Sequence, residues 1–169
     1  MTGEPTGYVA DACLVAAIRA SRRSVLDFLG SIDVVPTLIV IDELLYGLSR
    51  DHPIYQANLA VLGQMGPPIR NHPTIVFRAN ELTREYARHQ GPPQERDALI
   101  AAAAIEEGRG VITANVSDFH FYEQLWLLDS DGHDPAVRGP LIARQAPRKG
   151  AISAAGCCAA IRSDRRRGR

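Results

Sequence analysis

The sequence predicts an α/β domain, a parallel sheet covered on both faces by helices. Short apolar or β-branched runs alternate along the chain with longer amphipathic or alanine-rich stretches. The spacing between those runs leaves room for the helical crossovers that parallel strands require. A length of 169 residues suits one domain and is short for two.

Tyr8–Ala10 reads as a short apolar strand that ends at Asp11. Residues 13–20 read as helix, and residues 24–32 as a second, amphipathic one. Residues 33–37 (Asp-Val-Val-Pro-Thr) read as a strand with a proline near its end, and residues 38–48 mainly as helix, with Gly47 near its close. His52 and Pro53 break the pattern. A helix over 54–65 stops at Gly66, Pro67 and Pro68. The β-branched run over 74–77 predicts a strand. A mixed-charge helix over 80–89 ends before Gly91, Pro92 and Pro93. Residues 96–107 form the strongest helix, rich in alanine and closed by Gly108 and Gly110. Val111, Ile112 and Thr113 make a strand, followed by a loop over 114–117. Residues 119–124 allow one or two helical turns, and 125–128 a last short strand. Beyond Ser130 no apolar period is sustained, and there are no internal repeats.

Hydrophobic residues are 46% of the chain and charged residues 22%, enough apolar material for a packed core. No apolar run approaches the roughly 18–20 residues that span a membrane. The N-terminus lacks a basic region ahead of an apolar stretch, so no secretory signal is expected. The cysteines are Cys13, Cys157 and Cys158, an odd set with two adjacent, which is neither a disulfide framework nor a zinc motif. A cytoplasmic setting follows from that pattern. The net charge is zero, but 138–169 carries nine of the 19 Lys/Arg residues and only one acid, Asp164, of 19. The rest of the chain is acidic, which is unusual for a surface that binds polyanions and less so where acids hold cations. The basic, low-complexity segment over 137–169 is expected to be a disordered tail, either a tether for RNA or a solvated terminus.

Four acids stand at element junctions: Asp11 after the first strand, Glu43 on the helix after the second, Asp97 opening the alanine-rich helix, and Asp118 after the strand at 111–113. In a parallel α/β fold these junctions can share one sheet edge, where ligands bind. Gathered carboxylates repel one another, and a divalent cation removes that cost. Oxygen-only ligands favour Mg²⁺ or Mn²⁺. Singly, each acid has a plainer reading: a turn residue at Asp11, a solvated helix residue at Glu43, a cap or dipole partner at Asp97 and Asp118. The case rests on the set. Asp42, about 100° round the helix from Glu43, reads as solvated.

The segment Arg96 to Ala104, followed by Val111 to Phe119, resembles the core signature of PIN domains of the VapC group. Glu43 to Gly47 resembles that family's second motif, and Asp11 stands at its first acid. The resemblance runs from about Tyr8 to Leu128. It implies a three-layer α/β/α sandwich with a central parallel sheet of four to five strands, placed over 1–136. It implies a Mg²⁺- or Mn²⁺-dependent endoribonuclease, the toxin of a toxin–antitoxin pair, that hydrolyses RNA with metal-activated water. Asp11, Glu43, Asp97 and Asp118 would be the catalytic and metal-holding acids, assisted by Thr113 and Asn115. It further implies a cognate antitoxin and a homodimer, with the helices over 24–32 and 38–48 as candidate surfaces. Two residues after the first acid the family has Ser, Thr or Asn; here it is Cys13. That departure favours an alternative, a catalytically impaired PIN domain that binds RNA or a protein. A P-loop and a dinucleotide fingerprint are both absent, and no DxD pair follows the first strand.

Overall fold

Four short strands form one sheet in the computed structural model: β1 (Tyr8–Ala10), β2 (Val34–Val35), β3 (Gly110–Thr113) and β4 (Leu127–Asp129). The structure describes residues 5–20, 30, 32–87, 95–122 and 124–130. Every pairing is parallel, in the order β2-β1-β3-β4. The register sets Val9 beside Val35 and Val111, and Ile112 beside Leu128. These side chains are buried together, as expected of strands covered on both faces.

The helices are α1 (Ala12–Arg19), α2 (Leu38–Leu45), α3 (Pro53–Leu62), α4 (Pro73–Ala87) and α5 (Glu95–Glu106). The chain steps from β1 to β2 through α1, then back past β1 to β3 through the other helices. Right-handed crossovers in opposite directions put helices on both faces of the sheet. The result is the three-layer α/β/α, PIN-like sandwich that the sequence predicts.

Local chemistry explains the helix ends. The Thr37 hydroxyl accepts from the Val40 N–H at 3.2 Å and starts α2. Gly47, at φ 75°, follows its end. Pro53 opens α3, where its missing N–H costs nothing. Gly108, at φ 64°, turns the chain out of α5 into β3. Ala98 and Ile100 to Ala104 are all buried, so α5 is enclosed on every side and its small side chains let it lie close to its neighbours.

The run over 74–77 is not a strand. It lies in the first half of α4, which Pro73 opens. Ile75, Ala79 and Leu82 are buried at helical spacing. That period over fifteen residues outweighs the β preference of Thr74, Ile75 and Val76. The expected strand over 33–37 is confined to Val34 and Val35, because Thr37 caps the next helix. The last strand starts at Leu127, and the expected loop after β3 contains a 3₁₀ turn over Val116–Asp118. The expected helix over 24–32, apart from Gly30 and Ile32, and the expected tail over 137–169 lie outside the described residues. Among the described residues no helix is long and apolar enough to cross a membrane.

Candidate active site

Asp11 is the first residue beyond β1 and the N-cap of α1. Ala10 pairs with Ile112, so the next residues, Asp11 and Thr113, stand side by side at the carboxyl edge. The Thr113 hydroxyl donates to Asp11 Oδ2 at 2.7 Å, and the Ala12 N–H donates to Oδ1 at 2.7 Å. The Cys13 thiol adds a weaker hydrogen bond to the same carboxylate. The departure from Ser, Thr or Asn therefore still places a donor on Asp11.

Asp11 is only 6% exposed. Burial pushes its carboxyl above the usual carboxylate range, and the like charge of Glu43 pushes the same way; the Thr113, Ala12 and Cys13 donors oppose them. Desolvation wins. Glu43 thus acts on Asp11 from α2, as the shared edge requires.

Asp97 is half-buried in the first turn of α5. A carboxylate there is also favoured by the helix dipole. Its neighbour Arg96 reaches both Asp42 and Glu43, at 3.9 Å each. The sequence gave no reason to single out Arg96 or to pair Asp42 with it. Both are exposed charges beside a motif.

Asp118 stands apart from Asp11 and is joined to it through a hydrogen-bonded chain. The Asn115 amide donates to Asp118, and the Asn115 backbone N–H donates to Thr113 Oγ1 at 2.9 Å. Ser117 Oγ donates to Asn115 Oδ1 at 2.6 Å. Burial raises the Asp118 carboxyl, partly offset by the Ser117 and Asn115 donors. Asn115 and Asp118 are thus one unit, not alternatives. Tyr122 was not anticipated. It is buried beside this unit, and the charges that act on its phenol are led by Asp97 and include Asp118.

The donor chemistry fits Mg²⁺ or Mn²⁺: oxygen ligands only, with a buried, preoriented carboxylate at the centre. The spacing is less complete, since among the described residues no three His, Cys, Asp or Glu side chains stand close enough to hold a metal together. Asp11 and Glu43 face one another, while Asp97 and Asp118 are shared with Tyr122.

The class this architecture defines is a PIN-like α/β/α domain with an acidic sheet edge. Solved structures show the same fold. A chain of VapBC2 from Rickettsia felis, bound to a DNA fragment from their promoter, superposes with TM-score 0.60 at 24% identity, over 72% of this chain and 97% of that one. A chain of a toxin–antitoxin complex from Klebsiella pneumoniae gives 0.58 at 21% identity, over 73% and 97%. A chain of VapBC-1 from nontypeable Haemophilus influenzae gives 0.62 at 16% identity, over 74% and 98%. No family model matches the sequence, and no curated protein does. The chain therefore shares its fold with chains of VapBC toxin–antitoxin complexes.

Proposed function

We propose that this chain is a Mg²⁺- or Mn²⁺-dependent endoribonuclease, the toxin of a toxin–antitoxin pair, that hydrolyses RNA phosphodiester bonds. One observation carries the reading: the buried Asp11 carboxylate, fixed by Ala12 and Thr113 in the field of Glu43. A charge so placed destabilises the fold unless a cation joins it. The likeness to toxin–antitoxin complexes supports the same conclusion.

When bound, a divalent cation supplies an acidified water and neutralises charge at the phosphate. Asp11, Glu43 and Asp97 are the residues that would hold it. Thr113 and Cys13 hold the Asp11 carboxylate in one orientation, and Asn115 keeps Asp118 within the same polar chain. The nuclease domain is placed in 1–136, with the basic 137–169 segment outside it. A cognate antitoxin and a second copy of the chain are the proposed protein partners, in the cytoplasm. Exposed Leu38 and Tyr46 at the two ends of α2, with Val76 and Phe77 on α4, support a protein partner.

The test is incubation of the purified full chain with a mixed RNA pool in Mn²⁺, in EDTA, and beside Asp97→Asn. Cleavage is expected in Mn²⁺ alone, with Asp97→Asn inactive yet folded. Equal cleavage in EDTA overturns metal dependence, and an Asp97→Asn variant as fast as the parent overturns the assignment of Asp97.

A second reading is a catalytically impaired PIN domain that binds RNA or a protein. The unclosed acid group, with Arg96 reaching Glu43, favours it. RNA binding without cleavage in either cation would select it.

A further inference from the structure

Tyr122 is 1% exposed, and its hydroxyl is buried without a hydrogen-bond partner. The backbone fixes its place: the Tyr122 N–H donates to the Phe119 carbonyl at 3.2 Å, and its carbonyl accepts from the Leu125 N–H at 2.9 Å. The Tyr86 ring of α4 packs 6.3 Å away, tilted by 41°. The phenol therefore has little freedom to seek a partner elsewhere. A buried O–H without an acceptor weakens a fold, and phenylalanine would fill the same space without that penalty.

We propose that Tyr122 is a positioning residue for Asp97, its hydroxyl donating to the Asp97 carboxylate when a divalent cation fixes that side chain in the site. This rests on the nuclease reading above. The direction of the surrounding field agrees. Burial, then the negative charge of Asp97, then Tyr86, Asp118 and Glu85 all hold the phenol in its neutral form. A neutral phenol is a donor, and Asp97 is the foremost charge acting on it. Groups that orient a metal-holding side chain typically matter by about ten- to a hundredfold in metal affinity.

The experiment uses the full-length chain and Tyr122→Phe. The readouts are the melting temperature without metal, Mn²⁺ affinity by calorimetry, and cleavage of an RNA pool. Tyr122→Phe is expected to melt no lower than the parent without metal, to bind Mn²⁺ about tenfold more weakly, and to lose kcat with KM for RNA unchanged. In an Asp97→Asn background, Tyr122→Phe should have no further effect on Mn²⁺ binding. Mn²⁺ affinity and kcat within twofold of the parent would show the hydroxyl to be a packing residue only and overturn the proposal. A parent chain that neither binds Mn²⁺ nor cleaves RNA overturns the nuclease reading itself, and this proposal with it.

Discussion

Thr113 and Asp11, one residue beyond the last pair of β1 and β3, are joined side chain to side chain at 2.7 Å. Thr113 is fully buried and also accepts from the Asn115 N–H. Thr113→Val keeps the shape and removes both bonds, leaving Asp11 and the Asn115 N–H short of a partner. The expected loss is about 2 kcal/mol at pH 7, read by urea unfolding, with Thr113→Ser close to the parent. Mn²⁺ binding should weaken in Thr113→Val alone. Equal stability of the Val and parent chains would show that the bond contributes nothing.

Asp11 makes the pH dependence testable. Its folded-state carboxyl is raised above the ordinary value, with desolvation the first cause and Glu43 adding to it. The neutral form is therefore the one that folding favours. Its stabilising effect is complete below the ordinary carboxylate range and is lost as pH rises through the elevated folded value. Asp11→Asn should melt higher than the parent at pH 7–8, by roughly 2–4 °C for a gain of about 1 kcal/mol. The gap should close toward pH 4 and shrink when Mn²⁺ is added, and cleavage should be lost. A lower melting temperature for Asp11→Asn at pH 8 would contradict a desolvated charge at this position.

Much of this was legible in the sequence, for reasons that differ by element. Val34, Val35, Val111 and Ile112 form short apolar runs between helical periods, which is enough to read a parallel sheet. The run over 74–77 misled because Ile75 and Val76 score as strand locally, while the buried spacing of Ile75, Ala79 and Leu82 appears only across a longer window. Asp11 and Glu43 could be placed at one edge from topology alone. Thr113 as the donor to Asp11 needed the register, and the link between Asn115 and Asp118 needed the turn over Val116–Asp118. Arg96 and Tyr122 were not legible. Their meaning lies in which acids surround them, which a linear sequence does not carry.

Asn58 ties three helices together below the site. Its side chain is buried on α3, donates to the Leu44 carbonyl at 2.9 Å and accepts from Arg19 Nη1 at 3.2 Å. Leu44 follows Glu43, so this contact also holds the helix that carries an acid of the site. Asn58→Ala should cost about 2 kcal/mol in urea unfolding. Asn58→Asp should be worse, because a carboxylate offers the Leu44 carbonyl no donor. Stability unchanged in both variants would remove Asn58 from the account of how α2 is anchored.

Arg96 presents the opposite case, a charge that contributes little to stability and much to occupancy of the site. It is half-exposed and reaches Asp42 and Glu43 at the 3.9 Å limit of an ion pair. Pairs of this kind are worth about 0–1 kcal/mol. Arg96→Ala should therefore unfold within about 0.5 kcal/mol of the parent. Its guanidinium nevertheless competes for the carboxylate that a cation would need. Removing it should strengthen Mn²⁺ binding severalfold, an effect that high salt diminishes in the parent. If Arg96→Ala instead bound Mn²⁺ more weakly, the side chain would be orienting Glu43 toward the cation, and its role in the site would be supportive, not competitive.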